Sequence, residues 1–97
     1  MKEIETITNN TPEFLNFLKT KFTLIHQSNF FFRDLHFGVI AYLESKGKRI
    51  KYTIGEQIAK EVALDLENKG IFVKVDHQAW LLNYPEFALP WNEKKAS

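Results

Sequence analysis

The chain contains no cysteine. That absence excludes disulfides, thiolate zinc sites and cysteine nucleophiles, and it fits a reducing compartment. Glycine is scarce as well, and Gly38, Gly47, Gly55 and Gly70 stand too far apart to cradle a phosphate. The longest apolar run, Phe37 to Leu43, falls far below the roughly 20 residues that span a bilayer. The opening MKEIETITNN lacks the uninterrupted apolar stretch of a signal peptide. The expectation is a soluble cytoplasmic protein with no membrane partner. Neither sign of charge dominates: thirteen basic residues against twelve acidic ones leave a net +1, so any electrostatic function must be local.

Catalytic constellations are missing too. His26, His36 and His77 stand alone, with no second His or carboxylate at ligand spacing and no HExxH. Ser28, Ser45 and Ser97 fall at a cap, a helix end and a tail, none of them a nucleophile-elbow context. The sequence therefore predicts no enzyme, no cofactor, no metal and no small-molecule ligand. What it has in excess is aromatics: fourteen, nine of them Phe, which in a small domain either fill the core or leave apolar surface for a partner.

The best-specified stretch runs from Thr53 to Asn83. Thr53-Ile54-Gly55-Glu56 has the form of a capping box, and Gly70 followed by Ile71 suits a Schellman ending, so a helix over Thr53 to Lys69 is expected. Ile54, Ile58, Ala59, Val62, Ala63 and Leu66 line one side of it at helical spacing. The period then changes to two. Ile71, Val73 and Val75 alternate with Phe72 and Lys74, Asp76-His77-Gln78 can turn, and Trp80, Leu82 and Tyr84 alternate with Ala79, Leu81 and Asn83.

Upstream, Thr11-Pro12 opens a first amphipathic helix to Phe22, carrying Phe14, Leu15, Phe17 and Leu18. A second helix, Phe30 to Lys46, is apolar on more than one side and should be central; its strip of Gly38, Ala41 and Ser45 suits a close-packed neighbour. Residues 1–10 show no clean period and read as a tail or an edge strand. Ile50 and Tyr52 alternate with Arg49 and Lys51, so 49–52 is a short third strand or a loop. The fold class is α+β: one domain over 11–91 with three helices and a C-terminal hairpin, and a solvated, disordered tail at 92–97.

The string LENKGIFVKVDHQAWLLN resembles winged-helix DNA-binding domains, in which a recognition helix ends in a similar leucine-acid-x-lysine-glycine-apolar pattern and a hairpin wing follows. The resemblance covers about a third of the chain. It implies a winged-helix-like fold, with the Thr53 to Lys69 helix as groove reader and Lys74 to Gln78 as wing tip.

Two functions compete on that frame. For DNA, the cluster Lys46, Lys48, Arg49 and Lys51 would hold phosphates together with Lys74, and Gln57 and Lys60 would approach bases. Against it, the reader helix carries four acids, Glu56, Glu61, Asp65 and Glu67, and only Lys60 and Lys69 to offset them. For a protein partner or a homodimer, Leu64 sits on the otherwise polar side of that helix. Phe30, Phe31, Phe32, Phe72 on the off-core side of its strand, and Trp91 complete an apolar surface. The protein-binding reading ranks first and DNA binding is the alternative.

Overall fold

The computed structural model describes residues 2–89. These build helices α1 (Lys2–Thr8), α2 (Thr11–Lys21), α3 (Phe32–Ser45) and α4 (Tyr52–Asn68) and strands β1 (Asn29–Phe31), β2 (Phe72–Asp76) and β3 (Ala79–Leu82). A 3-10 turn follows over Pro85–Phe87. The strands form one antiparallel sheet in the order β1-β3-β2. The class is α+β, with four α-helices among the described residues where three were expected. The tail expected at 92–97 lies outside the described residues.

The additional helix is α1, in place of a tail or edge strand. Ile4 and Ile7, three apart, give too little pattern to identify a helix alone. They acquire meaning against α4 and α2, where Ile7 is fully buried and Ile4 packs on the core. Lys69, just past α4, fastens the end of α1 by donating to the Thr8 carbonyl at 2.8 Å and the Thr11 hydroxyl at 2.7 Å. Its Nζ also lies 2.7 Å from the Asp65 carboxylate.

The second expected helix starts two residues late, because Phe30 and Phe31 belong to β1. Phe30 pairs with Trp80, and its ring sits near those of Phe22 and Phe72. Burial alternates through the strand, Asn29 and Phe31 exposed and Phe30 buried. The third strand is thus at 29–31; residues 49–51 are irregular and Tyr52 opens α4. Four consecutive residues, Asn29 to Phe32, suit a helix start or a strand equally well, and the free edge of β3 decides between them.

Helix α3 is central, burying Leu35, Val39, Tyr42 and Leu43. Its Gly38 faces Leu18 of α2, leaving no room for a methyl group, so the small residue seats a neighbouring helix as the spacing implied. On α4, a Cβ at Gly55 would come within 2.5 Å of Ile40. Both glycines set helix separation.

Helix α4 begins one residue before the expected capping box, and Lys51 at the N-cap makes no side-chain cap. Thr53 lies inside the first turn, so its hydroxyl does not take the capping role. The other end follows the sequence: Ile71 N–H donates to Leu66 O and Gly70 N–H to Glu67 O, with Gly70 at φ +76°, a Schellman ending.

Strand β2 turns the opposite face inward from the one expected. Phe72 is 2% exposed, whereas Val73 and Val75 are 45% and 56% exposed. Period two fixes which residues share a face but not which face meets the core when both are apolar. Phe72 prevails because its ring stacks on Trp80 at 4.9 Å and approaches Phe30 at 5.9 Å, an aromatic layer that a valine could not supply. A bulge between Lys74 and Asp76 then lets Asp76, not Val75, oppose Ala79.

Candidate protein-binding groove

The outward side of α4 and the core-side face of the hairpin tip enclose an open groove of about 320 Å³. Leu64 and Ala63 come from α4, Trp80 from β3 and Phe32 from the start of α3; Glu56, Lys60, Glu67, Lys74 and His77 edge it. The helix supplies Glu56, Lys60, Leu64 and Glu67 because they recur at three- and four-residue spacing along one stripe. The strands supply Lys74 and Trp80 because the two are register partners and point to the same side. The Phe32 amide donates to Gln78 O at 2.9 Å, tying the first residue of α3 to the turn.

The groove has a fixed polar contact on one wall. Trp80 Nε1–H donates to Glu67 Oε2 at 2.7 Å, which satisfies a nearly buried indole and holds the carboxylate in place. Leu64 is 54% exposed, an apolar side chain flanked by acids and lysines in equal number. At the tip, Asp76 Oδ1 accepts from the His77 backbone N–H at 2.6 Å and lies 2.9 Å from His77 Nδ1. These bonds hold the Asp76 carboxyl below its ordinary range, the backbone bond first.

The predicted phosphate-binding residues do not converge. Lys46 Nζ lies 2.6 Å from Glu13 Oε2 and so is engaged by α2. The Tyr42 hydroxyl donates to the other oxygen of Glu13 at 3.0 Å. Hydrogen bonds from Lys46 and then Tyr42 hold the Glu13 carboxyl below its usual value, while burial chiefly, reinforced by Glu13, pushes Tyr42 up to about 12. Lys48 and Arg49 line a separate hollow with Glu44. Lys48 N–H bonds to Leu43 O at the C-terminal end of α3, while the hairpin tip meets its N-terminal end, roughly 21 Å away at 1.5 Å per residue. Lys51 is exposed at the N-cap of α4, and Gln57 faces a hollow beside Ile4 of α1. Lys60 and Lys74 share the groove.

Of the predicted protein-contacting residues, Leu64 and Phe32 come together in the groove, and Phe31 is exposed on the opposite face of the sheet. Phe30 and Phe72 are buried in the core and are withdrawn as surface residues. Trp91 lies outside the described residues. Sequence reasoning missed Trp80 and Glu67, thirteen residues apart, whose pairing has no signal short of the fold. It also missed Phe37 and Tyr52, exposed aromatics whose rings both approach that of His36.

Two of the histidines make internal hydrogen bonds. His36 is 5% exposed and its Nε2 donates to the Tyr52 carbonyl at 2.9 Å, since a carbonyl can only accept. His26 Nδ1 accepts from the Tyr84 N–H at 3.0 Å. Among the described residues, no helix is long and apolar enough to cross a membrane. No family model, curated protein or solved structure matches this chain.

Proposed function

We propose that this chain is a non-enzymatic, winged-helix-like module that binds protein through the groove between α4 and the hairpin. Supporting the winged-helix reading, α2, α3 and α4 make the three-helix set, and the hairpin leaves the third of them directly through Gly70. The observation that carries the protein-binding reading is Leu64, more than half exposed and facing Phe32 in a groove whose rim charges balance. An apolar floor with a mixed-charge rim suits the side chain of a partner protein. Glu67, held by Trp80 at one end of the groove, and Glu56, about three helical turns away along it, would repel phosphate oxygens at the position a base-reading helix needs.

The test is peptide selection on the immobilised protein, with Leu64→Arg as the counter-target. Enriched peptides should share an apolar anchor and lose binding to the variant. A selection whose binders bind both forms equally would overturn the reading.

DNA binding is the second reading, and the observation favouring it is that Lys60 and Lys74 lie on one groove. It requires duplex binding that weakens with salt and with Lys60→Glu plus Lys74→Glu. Fluorescence anisotropy on a mixed-sequence duplex at low salt decides it; the protein-binding reading expects no measurable affinity there.

A further inference from the structure

The outer edge of the sheet is β2, and its hydrogen-bonding groups are set out for a strand. Asn83 N–H donates to Ile71 O, and the register pairs Val73 with Leu81, so Ile71 and Val73 bond inward toward β3. By the alternation of an antiparallel ladder, Phe72 and Lys74 turn their N–H and C=O groups outward. No other described backbone group takes those positions. The opposite edge is less suited, since β1 has three residues and passes straight into α3.

We infer that the β2 edge pairs with β2 of a second copy of this chain about a two-fold axis at Val73, joining two three-stranded sheets into one. The proposal goes beyond the groove-binding reading and does not depend on it, because it uses the outer edge of β2. Three registers would bring outward-facing groups together. Centring on Phe72 leaves the groups of Lys74 without strand partners, and centring on Lys74 sets two ammonium groups opposite each other. Centring on Val73 pairs Phe72 with Lys74 of the other copy and Lys74 with its Phe72, so that all the outward groups bond, roughly four hydrogen bonds in all.

Side chains agree with that register. On the solvent-facing side Val73 meets its own copy, a β-branched pair that favours cross-strand packing, with the exposed Val75 of each copy flanking it at the bulge and Ile71 partly buried against the core. Val73 and Val75 are among the few large apolar residues that the monomer exposes, and their burial gives the pairing its apolar contribution. A lysine on an edge strand often serves to repel other strands. Here Lys74 points to the groove side with Trp80 and would face Phe72, so like charges do not meet. The bulge lies beyond Lys74, toward the hairpin tip, and leaves 71–74 regular. Any extended strand offers the backbone groups; a second copy in this register also sets the exposed Val73 against Val73 and keeps the two Lys74 side chains apart.

The cysteine-free background supplies a register-specific test. A Val73→Cys variant places two thiols in a non-hydrogen-bonded pair with Cα atoms about 4.5 Å apart, within disulfide range. Mild oxidation should convert it to a covalent dimer, while Val75→Cys, whose counterpart is Ile71, should remain largely monomeric. Sedimentation of the unmodified chain should show a concentration-dependent dimer, with Val73→Lys raising its Kd about a hundredfold and leaving the far-UV circular dichroism unchanged. Leu64→Arg should dimerise like wild type, and Val73→Lys should still bind groove peptides, so failure of either surface is seen separately. Only monomer at millimolar concentration, or equal cross-linking at 73 and 75, would overturn the proposal.

Discussion

The indole N–H of Trp80 donates to the Glu67 carboxylate at 2.7 Å, joining β3 to the last turns of α4 along one wall of the groove. The bond converts an acid of the would-be reading helix into a structural acceptor. Replacing Glu67 by Ala should destabilise the fold by about 1–3 kcal/mol, because the nearly buried indole loses its partner. Glu67→Gln retains an acceptor and should cost clearly less. Urea denaturation of the two variants checks the order, and equal costs would show that the contact contributes nothing specific.

Leu64 is expected to separate function from stability. Being more than half exposed, Leu64→Glu should change unfolding free energy by less than about 0.5 kcal/mol while abolishing binding of groove-selected peptides. Calorimetric titration beside a thermal melt reads both. A large loss of stability would mean that Leu64 is part of the core after all.

Gly70 holds φ +76° at the end of α4, where an L side chain is strained. Gly70→Ala should cost about 1–2 kcal/mol. For a domain near 100 residues that corresponds to a fall in Tm of roughly 4–8 °C per kcal/mol. An unchanged melt would argue against the Schellman ending.

The Glu13, Tyr42 and Lys46 cluster gives the fold an alkaline limit. Tyr42 is raised to about 12 in the fold against 10.0 for an ordinary tyrosine. The folded state therefore keeps its proton where the unfolded chain has lost it. Stability from this group is complete below pH 10 and declines as pH rises toward 12. Glu13, being depressed, acts at the acid end: its contribution is present above the ordinary carboxylate range and disappears as pH falls through its lowered value. Melting curves between pH 9 and 11.5 should show a steeper decline for wild type than for Tyr42→Phe. Parallel slopes would remove Tyr42 as the cause.

Lys69 should govern the docking of α1. Lys69→Met removes the donor to Thr8 and Thr11 and takes the cation away from the Asp65 carboxylate. Amide exchange in Lys2–Thr8 should accelerate by about tenfold or more with α3 little affected. Uniform acceleration throughout would point instead to global destabilisation.

Local chemistry was enough to define several elements. The period of 3.6 from Ile54 to Leu66, the glycine at 70 and the change to alternation after it fix a helix, its stop and a hairpin without reference to the rest of the chain. Proline at 12 and the phenylalanines and leucines after it do the same for α2. These signals are legible because each depends on residues a few positions apart.

What the sequence determined by itself was the α+β class, the helix-to-hairpin unit and the lack of cysteine chemistry. Tertiary structure decided the rest. Ile4 and Ile7 become a helix only because Lys69 and the side of α4 receive them, and Phe30 and Phe31 become a strand only because β3 offers an edge. Phe72 turns inward, and Val73 outward, because an aromatic layer with Trp80 and Phe30 outweighs valine packing, a comparison between strands far apart in the chain. The groove and the β2 edge follow from that choice of face. Alternation along a strand carries no information about which side the core will occupy; only the partners brought together by folding supply it.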